Sequence, residues 1–378
     1  MSPDPSPRPA KYAQVAEALR GQINAGLLRP GDRLPSLGEL CAQFETSLGT
    51  TDRALGILER EGLIVRVNGT GIFVADPTES PRYSPTKPFV ALVIPFCHGE
   101  FFSPIIHAIQ LESRAAGYHL IVANSLNEEP LEAQILDQLG DQTAGLLIMP
   151  CGARNQSSFA NLLEHRIPFV LLDVSVEGLN VPLVSTDNER GGYMATRHLL
   201  ESGCTRVYTI GESSARISTL RERIAGFRRA LTEAGIRFEP SLIRQGEGNL
   251  TQLGFDLTKA LLAEPRHGEK IGLFALNEHI SPGAYLAIKQ QCLRIPDDIA
   301  VVGFDDNTAN IFDPPLTAVR QDLAGMGREG VRALVELMRI GGTKKPKQIR
   351  LQPELIVRNS TDRGSGFRMV TGMNGVLK

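Results

Sequence analysis

The sequence predicts an α/β protein in which a small N-terminal domain, built from three helices and a β-hairpin, precedes a larger domain with two parallel sheets. In residues 11–60, apolar side chains recur at the spacing of helix faces. From Phe89 onward, short Val/Ile/Leu runs alternate with helical segments, as in parallel sheets buried between helices. The chain has 378 residues, more than a single hydrophobic core usually organises, so more than one domain is expected.

The small domain is predicted over residues 11–75. Its first helix, over residues 11–25, ends at Gly26, and one apolar face of that helix is formed by Tyr12, Val15, Ala16, Leu19 and Ile23. The second helix starts at a capping box, in which the Ser36 hydroxyl and the Glu39 carboxylate bond each other's backbone amides. This helix is expected to run to about Phe44.

The third helix is predicted to start at a cap provided by Thr46 or Ser47. Its expected inner face comprises Leu48, Ala54, Leu55 and Leu58. Segments 64–67 and 71–74 then flank Asn68-Gly69, the strongest short signal for a hairpin. Three helices followed by a tight hairpin form the plan of a winged helix-turn-helix, which reads duplex DNA.

Composition marks the limits of the two domains. Residues 1–10 are rich in Pro and Ser and are expected to be disordered. Residues 76–88 contain four prolines, Pro77, Pro81, Pro85 and Pro88, which favour an extended linker. The large domain is predicted over residues 89–361. Residues 362–378, rich in Gly and polar groups, are expected to form a flexible tail.

Seven strands are predicted in the large domain, at 89–95, 119–124, 144–150, 168–174, 207–211, 271–277 and 299–306. Their nearly continuous apolar content predicts strands buried on both faces, and hence parallel sheets covered by helices. Two such sheets in succession, with polar residues after their strands, predict two lobes with a ligand-binding cleft between them.

Composition argues against several classes of protein. The apolar fraction of 42% and charged fraction of 22% are typical of soluble domains, and no apolar run is long enough to cross a membrane. The N-terminus lacks the apolar core of a secretory signal. The five cysteines contain no C-x-x-C pair, and His98, His107 and His279 lack ligand spacing. We therefore expect a cytoplasmic protein with no disulfide framework, metal or cofactor.

The small domain contains a long series of residues that match one pattern: Gly26, Leu28, Pro30-Gly31-Asp32, Leu34-Pro35-Ser36, Glu39-Leu40, Phe44, Ser47, Thr50, Arg53-Ala54-Leu55, Leu58-Glu59, Glu61-Gly62-Leu63-Ile64, Gly69, Gly71 and Phe73-Val74. This series resembles the GntR family of winged-helix regulators. The resemblance implies that residues 47–60 form the recognition helix in the major groove and that residues 68–71 form the wing tip. The expected DNA contacts are Arg33, Ser36, Ser47, Leu48, Thr50, Thr51, Arg53, Arg66, Asn68, Gly69 and Thr70.

Three positions depart from that family. Its members commonly have Arg where this chain has Gly38, Leu48 and Asp52. Arg is the usual bidentate reader of guanine, worth about 1–3 kcal/mol at each position. The departures imply a different operator, with Leu48 contacting thymine methyl groups, or a weaker head that relies on dimer avidity. Arg53 could instead pair with Glu59 or Asp52 on a solvated face.

The charge of the small domain is also balanced. Residues 11–75 contain seven basic side chains (Lys11, Arg20, Arg29, Arg33, Arg53, Arg60, Arg66) and seven acidic ones (Glu17, Asp32, Glu39, Glu45, Asp52, Glu59, Glu61). Since neutralisation of phosphates supplies most DNA affinity, this balance is unfavourable for a DNA-binding head.

The large domain contains a second series of matching segments: Ser185-Thr186-Asp187-Asn188, His198-Leu199-Leu200, Arg223, Gly226-Phe227, Ala234-Gly235-Ile236, and residues 295–306, 315–321 and 353–361. They resemble the LacI/GalR-type regulatory domain, which is related to periplasmic sugar-binding proteins. The resemblance implies a two-lobed, type I periplasmic-binding-protein-like fold with parallel sheets. A GntR-type head on this body is an arabinose-repressor-like arrangement.

By that resemblance, Arg223, Asn277 and Asp305 lie where the family's sugars bind, and Asp173 ends a strand in a comparable place. Phe101, Phe102 and Ser103 follow the first strand and are expected to wall one side of the site.

These ligand assignments have structural alternatives. Asp305 could cap a turn, because Asp-Asp-Asn favours turns, and Arg223 could pair with Glu222 or Asp305. Glu278 stands where the family usually has Asp, so that part of the pocket is expected to differ.

A G-x-G-x-x-G segment at residues 325–330 has a second interpretation, as a dinucleotide site. Such a site needs a preceding strand and an acidic residue about 20 positions later, whereas Lys344-Lys345-Pro346-Lys347 occupies that region. We therefore expect this segment to open a helix. The sequence contains no G-x-S-x-G, H-E-x-x-H or P-loop motif, so no enzyme is predicted.

Together these patterns predict a DNA-binding regulator of the repressor type. It is expected to be a homodimer that binds an operator in double-stranded DNA and a small effector, a carbohydrate or related metabolite, between its lobes. The alternative is a cytosolic sugar-binding protein whose degenerate head no longer reads DNA specifically.

Overall fold

The structure is a computed structural model that describes residues 10–61, 63–67, 71–75, 87–97, 99–152, 156–213, 217–265, 268–340, 346–362 and 368–370. The chain divides into two compact units between Pro85 and Thr86, a boundary that falls inside the predicted linker. The predicted wing-tip residues Asn68, Gly69 and Thr70 lie outside the described residues, as do residues 1–9 and most of the linker.

The first unit contains the three predicted helices and the hairpin. Its elements are α1 (Lys11–Asn24), α2 (Leu37–Phe44), α3 (Leu48–Arg60), β1 (Ile64–Val67) and β2 (Gly71–Val74). The two strands are antiparallel, with Ile64 opposite Val74. The segment before α2 extends this hairpin, because the Leu34 amide donates to the Ile72 carbonyl at 2.7 Å. The winged-helix prediction is therefore confirmed.

The core of the first unit draws on all three helices. Leu19, Leu40, Leu55 and Leu58 are fully or almost fully buried in it. The predicted inner face of α3 is wrong for Leu48, whose side chain is 61% exposed. Leu48 lies seven residues before Leu55 and so shares its helical face, but the first turn of α3 extends beyond the packed core.

The second unit contains the remaining elements, in chain order: β3 (Phe89–Ile94), α4 (Phe102–Ala115), β4 (His119–Asn124), α5 (Glu129–Gln142), β5 (Leu146–Ile148), α6 (Ala160–Glu164), β6 (Phe169–Leu172), β7 (Leu183–Thr186), α7 (Asn188–Glu201), β8 (Arg206–Glu212), α8 (Ser218–Glu233), β9 (Ile243–Gly246), α9 (Leu250–Leu262), β10 (Ile271–Ala275), α10 (Ser281–Gln290), β11 (Ile299–Phe304), β12 (Thr317–Arg320), α11 (Leu323–Ile340), β13 (Gln348–Leu351), β14 (Glu354–Val357) and β15 (Arg368–Val370). Within the described residues, no helix is long and apolar enough to span a membrane.

Two sheets divide these elements into two lobes. The first lobe contains a six-stranded sheet in the order β13-β7-β6-β5-β3-β4, in which every neighbouring pair is parallel. The second contains a seven-stranded sheet in the order β15-β14-β12-β11-β10-β8-β9. Its strands from β12 to β9 are parallel, while β14 and β15 add antiparallel neighbours at one edge. The fold class is therefore confirmed.

All seven strands predicted for the large domain are present, and the described residues contain six further strands that were not predicted. Strands β7, β9, β12, β13 and β14 each include at least one polar or charged residue, so none of them forms a continuous apolar run. Within the predicted flexible tail, residues 368–370 form β15 beside β14. The only signal there is the short run Arg368-Met369-Val370, which resembles no strand of the sheet interior.

The chain crosses between the lobes three times. It passes from β7 in the first lobe to α7 in the second, returns from β12 to α11, and crosses again from β13 to β14. Two crossings lie side by side, since the Asp187 amide donates to the Leu351 carbonyl at 2.8 Å. Three segments of chain therefore link the two lobes.

Glycines allow helix pairs of the second unit to touch through their backbones. In the α7–α8 pair, a Cβ added to Gly226 would lie 1.9 Å from the Glu189 carbonyl oxygen, and one added to Gly192 would lie 2.0 Å from that of Arg223. The G-x-G-x-x-G segment lies inside α11 and likewise allows close helix packing. A Cβ added to Gly327 would lie 2.7 Å from the Ile105 carbonyl oxygen of α4.

Gly226→Ala is expected to lower the unfolding temperature of the second unit, because the new methyl group must force α7 and α8 apart. Overpacking of this kind typically costs about 1–3 kcal/mol, and here the opposing atom is backbone. Thermal unfolding followed by circular dichroism measures the effect. Thr232→Ala, an exposed position in the same helix, is the control and should change little. Equal stability of Gly226→Ala and the wild type would contradict the close packing.

Candidate functional site

The start of α3 is fixed by hydrogen bonds to its own first turn. The Ser47 hydroxyl accepts from the Thr50 amide at 3.3 Å and lies 2.8 Å from the Thr50 hydroxyl. Ser36 is engaged similarly, since its capping box with Glu39 at the start of α2 is complete. Each serine thus caps the N-terminus of one helix of the helix-turn-helix. Their contacts with DNA remain predictions.

Thr51 does not belong to the DNA-facing surface. Its side chain is 0% exposed, and its hydroxyl lies 2.6 Å from the Thr46 hydroxyl and 3.3 Å from the Cys41 sulfur. The prediction that Thr51 contacts DNA is therefore wrong, because the residue fastens the turn between α2 and α3. Its neighbour Thr50 is half-buried and stays a candidate.

Arg66 on β1 is paired with two carboxylates of α3. Its guanidinium Nη1 lies 2.6 Å from Asp52 Oδ1, and its Nε lies 3.2 Å from Glu59 Oε2. The ion pairs with Asp52 or Glu59 that were considered for Arg53 are thus formed by Arg66. Arg53 lies over the ring of Tyr12, at 4.2 Å from the ring centroid, which places α3 against α1. To bind a phosphate, Arg66 would have to leave carboxylates that already neutralise it.

Arg33 lies against the hairpin and leaves room only for glycine at position 71. Gly71 has a φ of 135°, and a Cβ there would lie 2.8 Å from Arg33 Nε. The Arg33 side chain is exposed beside β2, close to the predicted wing tip. Its position is compatible with a phosphate contact, which remains a prediction.

In the second unit, a cluster of polar side chains surrounds the buried Arg223 of α8. Arg223 is 4% exposed; its Nε donates to Asn188 Oδ1 at 2.9 Å and its Nη1 to the Leu276 carbonyl at 2.6 Å. Its guanidinium also lies 3.5 Å from the centroid of the Phe304 ring. Burial lowers the pKa of Arg223, and the nearby carboxylates Asp305 and Asp173 oppose that effect.

Asp305 follows β11 and is connected by hydrogen bonds to two of the segments that cross between the lobes. Its Oδ1 accepts from Gln321 Nε2 at 2.6 Å, and Gln321 in turn accepts from the Thr186 hydroxyl. Burial raises the pKa of Asp305, opposed by the charge of Arg223. The neighbouring Asp306, rather than Asp305, forms ion pairs with Arg320 and Arg358. Asp305 is thus buried next to Arg223 without a direct ion pair, which leaves its assignment as a ligand contact open as a prediction.

Asn277 follows β10 and is held by Glu212 at the end of β8. Asn277 Nδ2 donates to Glu212 Oε1 at 3.0 Å, and its Oδ1 accepts from the Ile280 amide at 3.2 Å. Burial raises the pKa of Glu212, while the charge of Arg223 opposes this shift. The parallel strands β8, β10 and β11 thus bring Glu212, Asn277 and Asp305 to one edge of the sheet, near Arg223.

Asp173, which follows β6, is the first lobe's contribution to this cluster. It adopts a φ of 62°, and its Oδ1 is inaccessible and has no hydrogen-bond partner among the described residues. Burial raises the pKa of Asp173 to about 6, although the charge of Arg223 acts in the opposite direction. A buried acceptor without a donor is costly, so this oxygen is suited to a hydroxyl donor on a ligand.

The loop before α4 carries a charge that acts between the lobes. The charge of its Glu100 contributes to raising the pKa of the Glu278 carboxyl of the second lobe. The rings of the neighbouring Phe101 and Phe102 lie edge to face, 5.2 Å apart, and pack partly against the first-lobe core. Their role as a wall of the ligand site remains a prediction.

Ser103 directly follows Phe102 in the first lobe. It is exposed and lines a groove with Cys97, Gly99, Ile106, His107 and Gln110. Its contact with a ligand remains a prediction.

Sequence reasoning missed four members of the Arg223 cluster: Thr186, Asn188, Glu212 and Gln321. Thr186, Asn188 and Gln321 lie within segments that carried the family resemblance, which was the available signal for them. Glu212 lies outside those segments, and only the strand order brings it to the cluster. His198 is also structural, donating or accepting at 2.8 Å with the Thr361 hydroxyl. No group of three potential metal ligands occurs among the described residues.

Comparisons with known proteins agree with this division. Residues 11–74 match the bacterial regulatory proteins of the gntR family, and residues 196–361 match the periplasmic binding protein-like domain. The chain is 28% identical to the arabinose metabolism transcriptional repressor of Geobacillus stearothermophilus over 359 residues, which cover 93% of this chain and 97% of that protein. It is 29% identical to the transcriptional repressor PurR of Haemophilus influenzae (strain PittGG) over 280 residues, covering 73% of this chain and 82% of that protein.

Solved structures show the same architecture. The transcription regulator GntR from Chromobacterium violaceum is similar with a TM-score of 0.62 and 27% identity, covering 72% of this chain and 99% of that one. The complex of the transcriptional regulator CelR with cellobiose shares the fold, with a TM-score of 0.65 and 24% identity, covering 93% of this chain and 100% of that one.

A winged-helix head and a two-lobed body with a polar cluster in its cleft define a transcription regulator. Its residues 11–74 match a GntR-type helix-turn-helix domain, and its residues 196–361 match a periplasmic binding protein-like domain. Because the similar proteins are transcriptional repressors, a sugar-binding protein with a non-specific head is not favoured.

The Glu278 carboxyl makes the stability of the second unit depend on pH. Burial, and then the charge of Asp305, raise its pKa from 4.5 to about 7. The folded protein therefore retains a proton that the unfolded chain releases, and this stabilising contribution, complete below about pH 4.5, is lost as the pH rises through about 7. Glu278→Gln cannot ionise and is expected to reduce the fall in unfolding temperature over this pH range.

Thermal unfolding at a series of pH values measures this effect. Asp173, whose pKa is raised to about 6, acts in the same direction, so some of the fall should persist in Glu278→Gln. The control is Asp141→Asn, an exposed carboxylate at the end of α5. If Glu278→Gln and Asp141→Asn both reproduced the wild-type profile, the assignment of a high pKa to Glu278 would be wrong.

Proposed function

We propose that this regulator is a cytoplasmic repressor, that it binds a roughly palindromic operator as a homodimer, and that a small carbohydrate or related metabolite bound between its lobes controls that binding. The observation that carries the proposal is the cluster around Arg223. It combines a buried guanidinium, the nearby carboxylate of Asp305 and the unpartnered Asp173 Oδ1. Such groups suit a polyhydroxylated ligand, which offers several hydroxyl donors and acceptors.

The names of similar proteins support this class of effector. One relative is a repressor of arabinose metabolism, and solved neighbours contain cellobiose or ribose. These three sugars are therefore the first probes for this chain.

The low DNA affinity expected of a single head favours a homodimer. Seven basic and seven acidic residues balance in residues 11–75, and Arg66 is already paired with Asp52 and Glu59. Two linked heads on adjacent half-sites convert the second binding step into an intramolecular one, which raises the overall affinity without new contacts. The half-sites of such a dimer are expected about one helical turn apart, or a multiple of it.

Control by the effector requires a difference in affinity between two arrangements of the lobes. The lobes are in contact here, because the Ser175 amide of the first donates to the Ser218 hydroxyl of the second at 3.0 Å. A ligand that engages Asp173 on one lobe and Arg223 on the other favours the arrangement in which both face it. We propose that this changes the pose of the two bodies in the dimer and hence the reach of the two heads.

Selection of bound duplexes from a random pool tests operator recognition. We expect enrichment of an inverted repeat by the wild type. Gly49→Glu should lose the enrichment, because it places a carboxylate on the first turn of α3, where no heavy atom lies within 4 Å of the new Cβ and the fold can accommodate it. Gly21→Glu, equally unobstructed but on α1, is the matched control and should retain it. No enriched sequence for the wild type would favour the sugar-binding alternative.

Asp173→Asn is expected to weaken effector binding by about tenfold or more, because a hydrogen bond to a charged group typically contributes about 1.5–3 kcal/mol. Thermal shift with arabinose, ribose and cellobiose identifies the binding sugar, and calorimetry then compares the variants. Asp141→Asn, the exposed carboxylate on α5, should bind as the wild type does. Equal affinities for all three proteins would remove Asp173 from the site, and no shift with any sugar would contradict the proposed effector class.

A further inference from the structure

The first turn of the recognition helix presents an apolar side chain to solvent. Leu48 is the first residue of α3, directly after its cap Ser47, and is 61% exposed. A single exposed leucine is ordinary on a protein surface. Here, however, it occupies the part of a helix-turn-helix whose side chains contact base edges in the major groove.

The polar side chains beside Leu48 are engaged within the protein. The hydroxyl of Ser47 is bonded to Thr50, and the carboxylate of Asp52 is bonded to Arg66 at 2.6 Å. The guanidinium of Arg53 lies over the ring of Tyr12. These contacts restrain the side chains that could read a base by hydrogen bonds. The exposed side chain of Leu48 is available without any rearrangement.

The backbone around Leu48 is open to close approach. A Cβ added to Gly49, the next residue of α3, would meet no heavy atom within 4 Å. Gly49 itself has no side chain that could keep a base away from the neighbouring leucine. This arrangement is suited to apolar contact deep in a groove.

We propose that Leu48 is a specificity-determining residue that reads the C5-methyl group of thymine in each operator half-site. The inference rests on the proposed operator binding and deepens it by naming the chemistry that is read. Among the base pairs, only those with thymine display a methyl group in the major groove. The half-site should therefore contain a thymine opposite Leu48, at the position where an arginine would select guanine.

Replacement of thymine by deoxyuridine in the selected operator tests this proposal, because it removes only the methyl group. Binding is measured by fluorescence anisotropy with each thymine of the half-sites replaced in turn. The wild type is expected to lose about fourfold in affinity at the critical thymine of one half-site, the value for burial of one methyl group. Replacement in both half-sites should cost about 15-fold, since distant sites act additively.

The Leu48→Ala variant links this loss to one side chain. It should bind the thymine and uracil operators almost equally, because the contact with the methyl group is gone. Leu27→Ala is the matched control: Leu27 is also an exposed leucine of the first unit, 75% exposed, but lies outside α3. It should keep the full discrimination. Leu48→Arg should in addition prefer guanine at that position by about tenfold or more.

The outcomes separate this proposal from operator binding itself. An enriched operator whose affinity is unchanged by every uracil replacement would overturn the role of Leu48 and leave the regulator function standing. A loss of affinity that persists in Leu48→Ala would assign the methyl contact to another residue and overturn the proposal as well. Failure to enrich any duplex would contradict operator binding, and the proposal with it. Circular dichroism of each variant confirms that α3 is still folded.

Discussion

The burial of Arg223 is the constraint on which the second unit depends. A buried guanidinium is costly unless its donors and its charge are satisfied. Hydrogen bonds to Asn188 and the Leu276 carbonyl, together with contact to the face of Phe304, offset this cost. Carboxylates from both lobes lie near the guanidinium and favour its charge. The position of the guanidinium is set in turn by the glycine contact between α7 and α8. A ligand that enters the cleft therefore meets a charge that the packing of two helices has already placed.

The sequence could predict most of the fold because its signals are local. Continuous apolar runs predicted the interior strands, and Asn68-Gly69 between alternating segments predicted the hairpin formed by β1 and β2. The cleft was harder to predict. Glu212 and Gln321 reach the site only because strand order and the crossings between lobes bring distant segments together. Glu212 lies outside every matching segment, and Gln321 ends one of them without any chemical pattern that marks it as part of the site.

The first unit shows how helical periodicity fails at the end of a helix. Leu48 has the spacing of a core residue and Thr51 the chemistry of a DNA contact, yet the structure exposes the first and buries the second. The reason is that α3 begins beyond the packed core, while the turn before it folds back onto Thr51. Arg66 was equally hard to place, because its partner Asp52 lies fourteen residues earlier and faces β1 only after the hairpin has formed.

The three crossings of the chain also bear on how the second unit is made during synthesis. Neither lobe is a continuous stretch of sequence, since α11 and β13 of the first lobe follow β8 to β12 of the second. On the ribosome, the first five strands of the first lobe emerge early, but one edge of their sheet and one covering helix remain untranslated until the second lobe is nearly complete. The first lobe therefore keeps apolar surface uncovered until α11 and β13 are made, and such surface is prone to aggregation in a nascent chain.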